Sequence, residues 1–133
     1  MIVDASVAAK WLFAEDDSGL ALPLLARDDL CVPELFFAEM ANIIWRRGRN
    51  QDPAEQTTLL ARLDNLFASV TASDQLASAA LALAISLNHP AHDCFYLALA
   101  EAKGDLLITA DRRFHAACAA SPHAARVRLL GEI

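Results

Sequence analysis

In the stretch Leu106-Leu107-Ile108-Thr109-Ala110-Asp111, a short apolar run ends just before a carboxylate, and a helical pattern begins there. A run this short and this apolar is typical of a strand that is buried on both faces. Aspartate favours the start of a helix, which we place at 111–120. The stretch therefore predicts a strand–helix unit of a sheet that is covered by helices.

The same alternation of apolar runs and helical patterns continues along the whole sequence. Because strands that are separated by helices pair in parallel, with right-handed crossovers, it predicts an α/β fold. We expect a three-layer α/β/α sandwich with a central parallel sheet of four to five strands. The predicted strands are 1–3, 30–32, 69–71, 106–109 and 127–130, and the predicted helices are 7–13, 20–27, 34–49, 53–67, 75–87, 92–103 and 111–120.

Length and composition fit a single domain that spans residues 1–133. Hydrophobic residues make up 56% of the chain and charged residues 21%, which excludes disordered and collagen-like proteins. The longest stretch without a charge or a proline, 75–89, is too short and too polar to span a bilayer. The start of the sequence lacks a signal-like segment, so we expect a cytoplasmic protein.

The chain carries 17 acidic and 11 basic residues, for a net charge of −6. Such a protein binds polyanions poorly unless a basic cluster or a bound metal opposes its average field. The densest basic cluster is Arg46-Arg47-Gly48-Arg49, which equally well stabilises the end of a helix. Cys31, Cys94 and Cys118 are an odd number without CxxC spacing, which favours buried free thiols.

Asp4 and Asp111 each follow a predicted strand, and each lies close to a hydroxyl group, that of Ser6 or that of Thr109. The carboxyl ends of parallel strands share one edge of the sheet, where ligands gather. Each aspartate also precedes a helix, so either is equally explained as an N-cap. The pattern therefore indicates a candidate site without excluding a purely structural role.

Two further acids lie on predicted helices among apolar residues. Glu39 is inside 34–49, with Asn42 and Arg46 on the same helical face. Asp93 begins the helix 92–103, where it too is a candidate N-cap. The case for function is joint, because strand ends and helix faces can bring all these carboxylates to one place.

Converging carboxylates repel one another, so they must take up protons or bind a cation. An all-oxygen ligand set favours Mg²⁺ or Mn²⁺, which activates water for attack on a phosphate. Such a metal also lets an acidic protein approach a polyanion. The basic residues near these segments, which are candidates for phosphate contacts, are Lys10, Arg46, Arg47, Arg49, Arg112 and Arg113.

Four segments carry a resemblance to a known family: Ile2-Val3-Asp4-Ala5-Ser6-Val7-Ala8-Ala9-Lys10-Trp11-Leu12, Val32-Pro33-Glu34-Leu35-Phe36-Phe37-Ala38-Glu39 with Asn42 and Arg46, His92-Asp93-Cys94-Phe95-Tyr96-Leu97-Ala98-Leu99-Ala100, and Leu107-Ile108-Thr109-Ala110-Asp111-Arg112-Arg113-Phe114. Together they resemble PIN-domain proteins, in particular the VapC-like toxins of toxin–antitoxin pairs. The match spans nearly the whole chain in order. His92 and Cys94 stand where Tyr and Ala are frequent in that family.

The resemblance implies a PIN-like fold and a metal-dependent endoribonuclease that hydrolyses RNA phosphodiester bonds with Mg²⁺ or Mn²⁺. It further implies an antitoxin protein that occupies the site, and a homodimer. The catalytic and metal-binding residues would be Asp4, Glu39, Asp93 and Asp111, with Ser6, Thr109 and Asn42 as supporting polar groups.

Other interpretations remain open at this point. A non-catalytic PIN-like protein-interaction module is the main alternative, although such a module need not keep all the acidic positions. An aspartyl-phosphate phosphotransferase ranks low, because Ser6 stands where a second aspartate is usual. The spacing of His89 and His92 resembles a metal site, but Pro90 disfavours the regular helix that would align them.

Overall fold

The computed structural model describes residues 1–133 and contains a sheet of five parallel strands. Their order in the sheet is β3-β2-β1-β4-β5, and Ile2 of β1 lies opposite both Cys31 and Leu107. The predicted parallel sheet is thereby confirmed. The strands are β1 (Ile2–Val3), β2 (Cys31–Pro33), β3 (Ser69–Thr71), β4 (Leu107–Thr109) and β5 (Val127–Leu129).

Seven α-helices and three short 3₁₀ helices connect the strands and complete a three-layer α/β/α sandwich. The 3₁₀ helices are Leu22–Ala26, Ala124–Arg126 and Leu130–Glu132. The α-helices are α1 (Ala5–Leu12), α2 (Ser18–Ala21), α3 (Leu35–Arg47), α4 (Pro53–Ala61), α5 (Ser73–Leu87), α6 (Ala91–Lys103) and α7 (Arg112–Ala119).

The core forms where the central strands meet α6. Ile2, Leu107 and Ile108 are completely buried, as expected for strands covered on both faces. Helix α6 packs on β1, β2 and β4 with one side and on α5 with another. Its middle, from Tyr96 to Ala100, is therefore buried almost without interruption.

The predicted helix at 20–27 is wrong in type and in extent. Helix α2 ends at Ala21, and the chain continues as the 3₁₀ helix Leu22–Ala26. Pro23 lies in the first turn of this second helix, where its missing N–H group costs nothing. Inside one continuous α-helix the same proline would remove a hydrogen bond, so the chain changes helix type instead.

The predicted helix at 53–67 begins as expected at Pro53 but ends early, at Ala61. Asn65 has a positive φ of 61°, which is a left-handed conformation that terminates helical structure. Asparagine tolerates this conformation better than most residues. The apolar pattern continues past the end of the helix because Leu63, which lies in the following turn, is also buried in the core.

The other boundaries lie close to their predicted positions. Asn88 and Gly104 end α5 and α6 in left-handed conformations, which the sequence indicated only for Gly104.

Cys31, Cys94 and Cys118 are free and buried, as predicted. None of the helices has both the length and the apolar character that crossing a bilayer requires.

Candidate active site

Adjacent strands bring Asp4 and Thr109 together. Val3 and Ile108 are paired across β1 and β4, so the residues that follow them leave the sheet side by side. The Thr109 hydroxyl donates to Asp4 Oδ2, and the Ser6 hydroxyl donates to Asp4 Oδ1 at 2.5 Å. The backbone N–H of Val7 also donates to Oδ1, at 3.2 Å. Asp4 is therefore both an N-cap of α1 and a fixed carboxylate at the sheet edge.

Asp111 lies beyond the end of β4 and caps α7. Its Oδ1 accepts hydrogen bonds from the backbone N–H groups of Arg113 (3.0 Å) and Phe114 (3.1 Å). Its own N–H donates to Thr109 Oγ1, which ties it to the neighbour of Asp4. The proposed capping role of Asp111 is thus real. Its Oδ2 has no partner within the chain.

Glu39 extends from the margin of the buried face of α3. Phe36 and Met40, on either side of it, are completely buried, while Glu39 itself is half-buried. The Tyr96 hydroxyl of α6 donates to Glu39 Oε1 at 2.8 Å. A buried phenol therefore fixes this carboxylate, an interaction that the sequence did not reveal because it joins distant helices.

Asp93 lies in the first turn of α6, but it is not the N-cap, a position held by Pro90. The capping interpretation of Asp93 is therefore wrong. The Nε2 atom of His89 lies 2.6 Å from Asp93 Oδ2, and since a carboxylate accepts, the imidazole donates. The His89 side chain is only 6% exposed and packs against the ring of Phe114, with centroids 4.9 Å apart.

These four carboxylates line a single open cavity of about 350 Å³, which we call the acidic cavity. In the conformation described, no three His, Cys, Asp or Glu side chains lie close enough together to hold a metal ion. The four acids therefore line one cavity, as predicted, but they do not form a cluster that could bind a metal ion without rearrangement. Other residues that line it are Ser6, Lys10, Glu15, Arg46, Arg47 and Tyr96.

Burial and mutual repulsion favour the protonated forms of two of these acids. Removal from water raises the pKa of Asp4 to about 6, even though its hydroxyl and backbone donors act in the opposite direction. Burial likewise raises the pKa of Glu39, and the charges of Asp93 and Asp4 add to the effect. Burial and the adjacent Glu39 also raise the pKa of the Tyr96 hydroxyl, which stays a donor.

Two of the predicted phosphate-binding cations are already paired. Lys10 Nζ lies 2.5 Å from Glu15 Oε2 and 2.7 Å from Asp17 Oδ1, and Arg47 also pairs with Glu15. The Lys10 side chain is only 11% exposed. The sequence did not indicate Glu15 or Asp17, which come from the loop after α1.

The remaining predicted cations differ in position. Arg46 lines the acidic cavity and, like Arg112 and Arg113, is exposed and forms no ion pair. The Arg49 guanidinium stacks 4.5 Å over the Trp45 ring and does not line the cavity. Asn42, predicted as a supporting group, also lies outside the acidic cavity, in a neighbouring groove.

The residues present suit a divalent cation. Asp4, Glu39 and Asp111 form no ion pair, and two of the three cations that line the cavity, Lys10 and Arg47, pair with Glu15 and Asp17 instead. Oxygen donors in this number are what Mg²⁺ and Mn²⁺ prefer. Because no three of these side chains lie close enough together to share an ion, ligation requires some of them to move toward one another.

Comparison with known proteins gives matches of two kinds, to a family model and to solved structures. The family model described as the PIN domain matches residues 1–120. The crystal structure of PAE2754 from Pyrobaculum aerophilum superposes with a TM-score of 0.73, at 20% sequence identity, over 98% of this chain and 88% of that one. At this level of sequence identity, the structural similarity shows only that the two proteins share a fold. None of the curated proteins compared with the chain matches it significantly.

Proposed function

Since this chain belongs to the PIN domain family, we propose that it is a metal-dependent endoribonuclease, the toxin of a toxin–antitoxin pair. PIN domains are typically nucleases, which supports hydrolase activity in general. The observation that carries the finer proposal is the acidic cavity, which is at the carboxyl ends of β1 and β4 and is lined by Asp4, Glu39, Asp93 and Asp111. In this fold class ligands bind at that edge.

The four carboxylates are the groups that would hold Mg²⁺ or Mn²⁺. Such an ion supplies Lewis acidity, which lowers the pKa of bound water and stabilises charge on a phosphate. The chain's own contribution is to hold the ligands. Ser6 and Thr109 position Asp4, and the backbone of α7 positions Asp111.

The helix-borne acids are positioned in the same manner by buried donors. Tyr96 donates to Glu39 and His89 donates to Asp93, so each keeps a second carboxylate oxygen for other contacts. Orientation by such outer partners raises the affinity of a metal site and fixes its geometry. This arrangement supports a site whose acids are held by buried side chains, one on helix α6 and one in the turn before it.

RNA phosphates would meet the free cations at the cavity rim, by which we mean Arg46, which lines the acidic cavity, and Arg112 and Arg113, which directly follow the lining residue Asp111. Arg46, Arg112 and Arg113 are exposed and unpaired, so their charge is available to a polyanion. Lys10 and Arg47 also line the cavity, but they can contact phosphate only after their ion pairs with Glu15 break. Arg49, stacked on Trp45, is the most distant of the proposed contacts.

The proposed partners are RNA, a cognate antitoxin and a second copy of the chain, in the cytoplasm. Support for protein partners comes from large exposed apolar side chains. Trp45 is 57% exposed, and Leu81 and Ile85 are 58% and 74% exposed on one face of α5. Exposed apolar groups that cluster on one helix face often mark interaction surfaces.

A cleavage assay tests the proposal directly. We expect the protein to cut single-stranded RNA in Mg²⁺ or Mn²⁺ and not in chelator, and Asp93→Asn to remove most of the activity. Asp64→Asn, which neutralises an exposed carboxylate outside the cavity, is the matched control. If the parent cuts no RNA with either metal, the non-catalytic interaction module is the better interpretation.

A further inference from the structure

A second cavity, of about 420 Å³, adjoins the acidic cavity and shares Glu39, Ile43 and Arg46 with it. We call it the flanking groove. Its size is within the range of small-ligand sites, and it combines an apolar floor with a few polar groups. The floor is formed by Leu35, Ala38 and Ile43, and the polar groups are Asn42, Arg46 and His92 together with the shared Glu39.

Three of the four polar groups of the flanking groove are free, while Glu39 is bound by Tyr96. Asn42, Arg46 and His92 are exposed, and their side chains form no hydrogen bond or ion pair within the chain. Lys10 and Arg47, by contrast, are held by Glu15. The groove thus offers an amide with both donor and acceptor atoms, a flat imidazole and a guanidinium.

These groups match the way in which proteins recognise unpaired RNA bases. Such bases stack on histidine rings or on arginine planes, and amide side chains form hydrogen bonds with their edges. A base that is paired in a duplex is stacked between its neighbours and does not enter a groove of this kind. The chemistry therefore favours a nucleotide of single-stranded RNA.

We infer that the flanking groove binds the base of a nucleotide next to the scissile phosphate. His92 stacks on the base, Asn42 reads its edge, and Arg46 contacts the phosphate at the junction with the acidic cavity. This inference rests on the proposed ribonuclease function. It assigns the choice of cleavage site to residues that lie outside the acidic cluster.

The first test measures RNA binding in chelator, by fluorescence anisotropy of a labelled single-stranded 12-nucleotide RNA of mixed sequence. We expect His92→Ala to weaken binding about tenfold and His92→Phe, which keeps a flat ring, to restore it. Asn50→Ala, an exposed asparagine outside the groove, should bind like the parent. Equal binding by His92→Ala and the parent, or no binding by the parent, overturns the inference.

The second test maps cleavage sites in a random RNA pool with Mn²⁺. Asn42→Ala should change the base preference at one position beside the cut about fivefold or more, while Asn50→Ala keeps the parent's preference. An unchanged preference in Asn42→Ala overturns the groove and leaves the ribonuclease proposal standing. If the parent does not cut at all, the ribonuclease proposal fails, and the position beside a scissile phosphate fails with it. The first test then decides only whether the flanking groove binds a base of single-stranded RNA.

Discussion

Asp4 is a buried carboxylate, and its burial makes the stability of the protein depend on pH. Its pKa rises from 3.8 to about 6 on folding, mainly through burial. Between these pH values the folded state keeps a proton that the unfolded state has lost, so the free energy of unfolding falls as pH rises. Above pH 6 the charged carboxylate costs about 3 kcal/mol of stability.

Asp4→Asn should therefore remove cleavage and stabilise the metal-free protein. Asn keeps an acceptor for Ser6 and Val7, and its NH₂ group can donate to Thr109. In urea unfolding we expect a gain of up to about 3 kcal/mol at pH 8 that shrinks toward zero at pH 4. A variant less stable than the parent at pH 8, or one with full activity, would contradict the assignment.

His89 acts through Asp93, to which its buried imidazole donates. We expect His89→Ala to lower activity or metal affinity about 10- to 100-fold and His89→Gln, which keeps a donor, to recover part of it. The measurement is the rise in melting temperature on adding Mn²⁺, because an ion that binds only the folded state stabilises it.

The matched control for His89 is His115→Ala, since His115 lies on α7 and only approaches Glu132. That variant should respond to Mn²⁺ like the parent. If His89→Ala melts lower but keeps the parent's full response to Mn²⁺, then His89 only packs against Phe114 and does not position Asp93.

At the scale of elements, each strand-end aspartate starts the helix that follows it. Asp111 shows how one side chain serves two roles, because Oδ1 caps α7 while Oδ2 remains free to face the cavity. The short strand and its helix are thus joined by the same residue that would bind metal. Because one aspartate can do both, an aspartate between a strand and a helix is the expected sequence pattern for a helix cap and for a metal ligand alike.

The two roles of Asp111 are separable by substitution. Asp111→Ala should cost about 0.5–2 kcal/mol of stability in chelator, because it removes the N-cap of α7. Asp111→Asn should stay within a few tenths of the parent, since Asn caps about as well as Asp. Both variants should lose cleavage. Denaturant unfolding and the RNA assay check this, and an active Asp111→Asn would exclude Asp111 from the site.

At the scale of the whole molecule, the proposed function requires a chain whose own net charge is −6 to bind a polyanion. The structure separates its cations into two groups around the acidic cavity. Lys10 and Arg47 are neutralised by acids of the same wall, while Arg46 remains free beside the carboxylates. For the proposed binding of RNA, we therefore expect the few unpaired cations near the carboxylates to matter more than the net charge of the whole chain.

Salt dependence distinguishes free from neutralised cations. Arg46→Ala and Arg112→Ala should each weaken RNA binding across sequences and flatten the slope of log affinity against log salt by about one unit. Arg62→Ala is the control, because Arg62 is exposed and unpaired but neither lines the acidic cavity, as Arg46 does, nor follows a residue that lines it, as Arg112 does. If Arg62→Ala changes the slope as much as the other two variants, the contacts are not specific to the cavity rim.

The strands and most helix boundaries were predictable because their signals are local. Leu107-Ile108 is apolar enough to require burial on both faces, and Gly104 and Pro53 mark helix ends through their own backbone conformation. Prediction failed where local signals compete. The apolar pattern around Leu63 continued although Asn65 ended the helical structure, and Pro23 fits the first turn of a 3₁₀ helix.

The sequence by itself determined the parallel α/β/α fold, and it identified the acids that line the cavity. It did so because periodicity and chain order are properties of neighbouring residues, and parallel strands must end at one edge. Only the tertiary structure decided which partners hold those acids. Tyr96 reaches Glu39 across helices and Glu15 neutralises Arg47 from a loop, since such contacts depend on how the elements pack.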